Sequence, residues 1–295
     1  MIDLKKIKQS KTISELLDFG IINIDKSSGP TSFNISDFVG KKLNLKKTSH
    51  FGTLDPKVTG VLPIALNRAC RLTGFFIGKN KFYIGIMRFN QDIELEKIKK
   101  AIQEKFLGEI MQKPPVKSRV KRVERPRSIF KFEILEKKGK DFLFFTEVQG
   151  GTYIRKLIDD LGIYLGIGAH MLELRRTQAG IFEENDEEFP SINLYNFEKA
   201  VDEYEKGNEK LLREIIIPGE IISNIYSTLE IKKDNLKQIF TGKPLHKNDL
   251  KKSENFEDNE IICVFCEDKF VGIYKILNQE DIFAKAEFVL QPISQ

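Results

Sequence analysis

Cysteine is scarce. Among 295 residues only Cys70, Cys263 and Cys266 carry thiols, too few for a disulfide framework and in keeping with a reducing compartment. Histidine is equally rare, and His50, His170 and His246 are too scattered to form a cluster with metal-ligand spacing. Cys263 and Cys266 make a C-x-x-C, but no second Cys or His pair stands near them, whereas a structural metal usually takes four ligands. Long apolar runs are also missing: none approaches the ~18 residues of a membrane span. The opening MIDLKKIKQSK lacks the apolar stretch of a signal peptide, so a soluble, cytoplasmic protein is expected. A large net charge is absent too. The 48 Lys/Arg against 43 Asp/Glu leave only +5, which excludes a disordered polyelectrolyte.

What is present is enough apolar material for a core, 41% of residues, in a chain whose length suits two domains at roughly 150 residues each. Charge is unevenly placed. Residues 228 to 295 hold 10 Lys/Arg and 12 Asp/Glu, a net of −2, which leaves +7 for the first 227. The basic surplus peaks in MQKPPVKSRVKRVERPR, where Lys113, Lys117, Arg119, Lys121, Arg122, Arg125 and Arg127 face only Glu124. Such a run suits phosphate contacts, and equally a solvated, extended surface segment.

The periodicity reads as mixed α and β. Residues 20 to 25, 82 to 88, 128 to 136 and 142 to 148 are short β-branched or aromatic runs expected to be strands. Residues 94 to 106 place Leu95, Ile98, Ala101, Ile102 and Phe106 on one helical face, and 152 to 161 read as a helix stopped at Gly162. The acidic EENDEE at 183 to 188 reads as a solvated connection. After Pro218 and Gly219 the texture becomes that of a small β-rich domain. A strand, helix and turn are expected over 229 to 245, and a hairpin over 261 to 277 turning at Glu267 and Asp268.

Three segments carry chemistry. In SHFGTLDPKVTGVLPIAL, Asp55 sits before a proline and between Gly52 and Gly60, on an irregular loop entering an apolar strand. Such loops on rigid scaffolds often hold catalytic groups, although an Asp-Pro pair alone is a turn. In VQGGTYIRKLIDDLG, Arg155 falls in the first turn of a helix. Its planar fork and the free N–H groups there suit a phosphate or a carboxylate such as Asp55, which the fork could engage on two sides; alone, it is a surface arginine. In GAHMLELRRTQAG, Arg175 and Arg176 lie on an amphipathic stretch that by itself reads as a basic helix.

Taken together, GIINIDKSSGPTS, HFGTLDPKVTGVLPIAL, KFYIG, KPPVKSRVKR, GGTYIRKL and GAHMLELRRTQAG occur in the order found in TruB-type pseudouridine synthases. The sequence resembles more narrowly their archaeal and eukaryotic branch, the dyskerin-like catalytic subunits of H/ACA guide ribonucleoproteins. The likeness runs over nearly the whole chain. G-T-L-D-P-x-x-T-G is its most specific element. KVTG, the P-P-V-K-S-x-V-K-R block, GAHM-LRR and the short segment after KFYIGIMR favour the guide-dependent branch, since stand-alone bacterial enzymes generally carry a longer tRNA-gripping insertion there.

The resemblance implies an α+β fold with a mainly antiparallel sheet in the catalytic domain and a small C-terminal β-rich PUA domain. Its domains would be an N-terminal extension over 1–19 that packs on the PUA module, a catalytic domain over 20–224 and the PUA module over 225–295. It implies isomerisation of uridine to pseudouridine in rRNA, with tRNA as a further candidate substrate. Asp55 matches the catalytic aspartate, Tyr83 the tyrosine that stacks on the target base and assists proton removal, and Arg155 the arginine paired with the aspartate. Leu174 matches an apolar pocket residue and His50 a supporting histidine. Lys113, Lys117, Arg119, Lys121, Arg122, Lys243 and Lys247 are the expected RNA contacts. The implied partners are an H/ACA guide RNA, a zinc-ribbon-like subunit, a glycine-arginine-rich-protein homologue and a kink-turn binder. No lysine-rich tail of the eukaryotic kind ends the chain, so an archaeal source is expected. Phe33 and Phe51 depart from the family, which has histidine and a small residue there, and are expected to change the pocket's shape.

The chemistry agrees with this likeness. Converting a C–N glycoside into a C–C one needs no redox change, metal or group donor, so no cofactor is expected. It does need a nucleophilic or charge-stabilising carboxylate, and an aromatic to receive a base flipped from its stack. The alternatives are a stand-alone tRNA T-loop isomerase and a non-catalytic RNA-binding scaffold, against which the set Asp55, Tyr83 and Arg155 argues. A glycosidase would usually need a second catalytic carboxylate.

Overall fold

The computed structural model describes residues 2–114, 121–252, 255–277, 279 and 281–292. It divides into two compact units, one of residues 1–20 with 217–295 and one of residues 21–216. The smaller unit opens with two short helices, α1 (Leu4–Ser10) and α2 (Ile13–Asp18). Asp3 caps the first through the Lys6 N–H, and Thr12 and Glu15 form a capping box on the second.

The larger unit supplies β1 (Gly20–Lys26), α3 (Ser32–Lys42), β2 (Thr48–His50), β3 (Thr59–Leu66), α4 (Thr73–Ile77), β4 (Lys81–Phe89) and α5 (Leu95–Ala101). There follow β5 (Gly108–Gln112), β6 (Arg125–Lys138), β7 (Asp141–Val148), α6 (Ile154–Tyr164), β8 (Ala169–Ala179), β9 (Phe182–Glu183), α7 (Leu194–Glu205) and α8 (Lys210–Ile215). Its sheet runs β1-β3-β8-β4-β7-β6-β5, with β2 on β3 and β9 on β8. Every pairing is antiparallel except β3 with β8. The fold is thus α+β with a mainly antiparallel sheet. β4 and β7 alternate buried residues with partly buried or exposed ones, as strands with one well-covered face do, whereas β3 is buried almost throughout.

The four long strands at 20, 82, 128 and 142 form where the β-rich runs place them, each a few residues longer than its apolar centre. The helix from 95 buries Ile98, Ala101, Ile102 and Phe106, its last residues winding into a wider π-type turn. Two expectations fail. GAHMLELRRTQAG is not a helix but β8, paired over nearly its whole length with β4. Met, Leu, Glu and Arg favour helices locally, but two neighbouring ladders outweigh that weak preference. Nor does Gly162 stop α6. The helix runs through it to Tyr164, because a Cβ there would lie 2.1 Å from the Ala169 nitrogen, so the glycine serves close helix–strand packing. The turn falls instead at Gly166, whose φ is +71°.

In the smaller unit, after β10 (Ile216–Pro218), β11 (Ser227–Glu230) pairs in parallel with β12 (Ile261–Cys266). β12, β13 (Lys269–Ile276) and β14 (Ala284–Val289) continue antiparallel, and α9 (Leu236–Phe240) lies between β11 and β12. The hairpin turns at Glu267, held at φ +55°. The first segment packs into this unit through a stacked Phe19–Phe270 pair and a largely buried Lys11–Glu220 ion pair at 2.5 Å. Cys263 and Cys266 are buried in β12, and burial pushes the Cys263 thiol up to about 12, so it packs as a small apolar group. Among the described residues no helix is long and apolar enough to cross a membrane.

Candidate active site

Asp55 stands on the loop between β2 and β3, its side chain about half exposed at 53%. The loop is tightly held. Lys26 ends β1 fully buried and donates its Nζ to the carbonyls of Ser27, Pro56 and Val58 at 2.9, 2.9 and 2.8 Å. Burial pushes this ammonium's pKa down and the Asp55 charge pulls it back up. Ser32, at the start of α3, both donates to the Leu54 carbonyl and accepts from the Leu54 N–H, at 3.0 and 2.7 Å. The Gly29 N–H donates to Pro56, and the Val58 N–H closes a turn on the Asp55 carbonyl. Every one of these bonds goes to backbone, so the carboxylate itself is left free to react.

Arg155 reaches that carboxylate from the first turn of α6, Nη1 to Oδ2 at 3.0 Å, one nitrogen rather than the two-sided fork expected. With the arginine side chain 69% exposed, the pair adds at most about 1 kcal/mol to stability. Its value is orientation. The start of α6 is clamped in turn by Gln112, buried at the end of β5, which donates to the Tyr153 carbonyl and accepts from the Tyr153 N–H at 3.2 and 3.0 Å. Gln112 is also the ladder partner of Arg125, so the β5–β6 pair ends beside the start of the helix that carries Arg155.

Tyr83, 7% exposed on β4, lies opposite Arg176 of β8 and Thr146 of β7. Its side chain neighbours Arg176 across that ladder and favours the arginine's charged form. Arg176 is itself buried and donates Nε to the Val61 carbonyl at 2.8 Å and Nη2 to the Gly52 carbonyl at 3.0 Å. One side chain thus ties Tyr83 to the loop three residues ahead of Asp55. Gly60 is required beside it, because a Cβ there would lie 2.1 Å from the Arg176 carbonyl oxygen. His50 is half-buried, bonded to the Thr53 hydroxyl at 3.1 Å, and held toward its neutral form by burial and by the Arg176 charge. Leu174 is buried against Gly85 on the neighbouring strand.

The two departures separate. Phe51 is 1% exposed and stacks on Phe76 at 4.6 Å with Phe182 alongside, so it fills the core. Phe33 is 70% exposed, next to Ser32. Of the expected RNA contacts, Lys113, Lys121 and Arg122 are exposed, the last donating Nε to the Pro114 carbonyl, while Lys117 and Arg119 lie outside the described residues. Lys243 and Lys247 belong to the smaller unit, Lys243 bonded to Gln238 and Lys247 exposed. Arg175 grips Asp25 and Glu184 and is structural. An open cavity of about 460 Å³ at the Arg88 end of β4 gathers Lys138, Lys140 and His170, but its arginine is already neutralised by Asp141 at 2.5 and 2.6 Å.

Lys26 was not among the sequence candidates, and Arg176 was named there only as part of a basic stretch. Lys26 has a signal, a lysine ending an apolar strand before a Gly-Pro turn. Arg176 has one only once LELRR is read as a strand, which sends the two arginines to opposite faces.

A carboxylate aimed outward, a guanidinium on it and a phenol tied to its loop make a site for breaking and remaking a bond at an electron-deficient carbon. Residues 40–154 match the model of the TruB family pseudouridylate synthase N-terminal domain, and residues 155–222 that of the tRNA pseudouridylate synthase B C-terminal domain. A probable tRNA pseudouridine synthase B of Archaeoglobus fulgidus is 38% identical over 280 residues, 92% of this chain and 84% of that protein. One from Thermococcus gammatolerans is 45% identical over 208 residues, 69% of this chain and 60% of its own length. One from Methanocaldococcus jannaschii is 46% identical over 212 residues, 71% of this chain and 61% of its own. The match thus spans about three fifths of the latter two relatives. Among solved structures, a chain of a Cbf5-Nop10-Gar1 complex superposes with TM-score 0.87 at 35% identity, over 97% of this chain and 89% of that one. A chain of an H/ACA RNP bound to a substrate RNA containing 2′-deoxyuridine gives 0.85 at 33%, over 97% and 89%. The chain belongs to the TruB family of pseudouridine synthases.

Proposed function

We propose that this protein isomerises uridine to pseudouridine in RNA as the catalytic subunit of an H/ACA guide ribonucleoprotein. The observation that carries the chemistry is the Asp55–Arg155 pair, an exposed carboxylate on a backbone-locked loop with a guanidinium at 3.0 Å. Asp55 attacks the flipped-out nucleotide so that uracil leaves as an anion, turns and rejoins the ribose through C5, while Arg155 keeps the carboxylate aimed. Tyr83 receives the base and takes the C5 proton; His50 and Leu174 support the pocket. Guide dependence is supported by likeness over almost the full chain to chains solved in H/ACA complexes. The basic run over 113 to 127 of the sequence suits the phosphates of bound RNA. In this reading residues 225–295 act as a PUA module with 1–19 packed on it, Lys243 and Lys247 touch guide RNA, and the three small proteins are partners.

The test is pseudouridine mapping on a synthetic rRNA target with matched and mismatched guides. Modification should follow the guide. Neutralising Lys117, Lys121 and Arg122 together should weaken guide RNA of any target sequence and flatten the salt dependence. The relatives' name, probable tRNA pseudouridine synthase B, favours tRNA as substrate and so supports a second reading, the stand-alone T-loop isomerase. Efficient T-loop modification without a guide would replace the first reading by this one.

A further inference from the structure

We propose that Arg176 is the positioning residue for Tyr83: fixed in the core with no carboxylate partner, it orients the Tyr83 hydroxyl and serves as counter-cation to the phenolate that takes the C5 proton. The inference rests on the reading of Tyr83 above and adds the group that makes a phenol a base.

The contrast with its neighbour carries the argument. Arg175 is partly exposed and has two carboxylates, Asp25 at 2.9 Å and Glu184 at 2.8 Å. Arg176 is 1% exposed, donates to two carbonyls and faces Tyr83 as its partner on β4, and among the described residues no carboxylate pairs with it. A guanidinium does not give up its proton in a protein, and a buried charge left unpaired is costly. The other titratable groups nearby do not offset it. His50 and Lys81 are both held toward their neutral forms, by burial and by the Arg176 charge, and Thr146 across from Tyr83 on β7 is uncharged. The group whose charge favours the Arg176 cation is Tyr83. The β4–β8 ladder also shifts register between Phe82 and Tyr83, a bulge of the kind that re-aims a side chain.

The step balances. After C5 has joined C1′, C5 still bears its hydrogen and the ring has an N1=C6 double bond. The phenolate oxygen takes that proton, the C5–H pair becomes C5=C6, and the N1=C6 pair moves to N1, which takes a proton from water. Tyr83, now a phenol, returns its proton to water, so the sum is an isomerisation.

Two measurements test this. The first needs no RNA: phenolate absorbance is titrated in wild type and Tyr83→Phe, and the difference isolates Tyr83. Arg176→Met should move that difference to higher pH. The second uses the full complex with a guide-matched target containing 5-deuterouridine. Arg176→Met should slow release of the C5 hydrogen by at least ~100-fold and bring out an isotope effect that wild type lacks, Arg176→Lys should restore part of the rate, and adding Arg176→Met to Tyr83→Phe should cost little more. A merely structural role would lower the rate with no isotope effect and add fully to Tyr83→Phe; either result overturns the proposal. If Arg176→Met does not fold, Arg176→Lys decides: a Tyr83 titration and a C5 isotope effect both unchanged from wild type reject it. Wild type that modifies no RNA would instead defeat the functional reading, with the titration still reporting on the Arg176–Tyr83 contact.

Discussion

Two kinds of cation surround Asp55, and they differ in what they touch. Arg155 is exposed, reaches the carboxylate directly, and rests on a single contact that water or a phosphate could replace. Lys26 and Arg176 are buried, pair with no carboxylate among the described residues, and spend their donors on the carbonyls of Ser27, Pro56, Val58, Val61 and Gly52. An exposed pair in water contributes little stability and adapts readily, whereas a buried cation with several carbonyls is rigid and costly to disturb. The division suits a reaction centre. The group that must change partners during turnover sits on the outside, and those that hold the loop's shape sit within.

The comparison breaks most sharply at Asp55. Asp55→Asn should abolish isomerisation, leave RNA affinity within a few fold, and hardly change the melting temperature, since the side chain holds no backbone in place. Combined loss of folding and activity would move Asp55 into the structural group. At Lys26 the pattern should reverse. Lys26→Met strands three carbonyls, so denaturant unfolding should show a loss of roughly 3 kcal/mol, and activity should fall with it as the Asp55 loop loosens.

A smaller effect is expected at Arg155. Arg155→Lys keeps the charge but not the planar geometry, and single-turnover rates on prebound RNA should drop about 10-fold, close to 1.4 kcal/mol, with unchanged stability. The most gradual effect belongs to Lys81, 4% exposed, whose Nζ donates to the carbonyls of Phe76, Ile77 and Lys79. Burial, then the Arg176 charge, lowers its pKa to about 7 from 10.5. Between these values the unfolded chain holds the proton more tightly, so stability falls as pH drops through that window and levels off below it, by up to about 1.4 kcal/mol per pH unit. Unfolding curves of wild type and Lys81→Met across that range should diverge by this slope. Parallel curves would mean that the three carbonyls keep the ammonium charged.

Much of this was legible in the sequence. The alternation in FYIGIMR and the aromatic run DFLFFTEV specify strands with one covered face, the spacing of Ile98, Ala101, Ile102 and Phe106 specifies a helix, and the Gly-Thr-Leu-Asp-Pro element marks Asp55 as a carboxylate on a constrained loop. These are local properties, set by side-chain period and backbone preference within a few residues. What the sequence could not decide were the states that depend on distant neighbours. LELRRTQ is a strand because β3 and β4 flank it, and Gly162 continues a helix because Ala169 comes within a Cβ's reach. The same holds for the two buried cations: that Lys26 meets the Pro56 carbonyl 30 residues on, and that Arg176 meets Gly52 124 residues back, follows from strand order alone. A sequence states which groups carry charge; burial, which turns a charge into a fixed anchor, is a property of the assembled sheet.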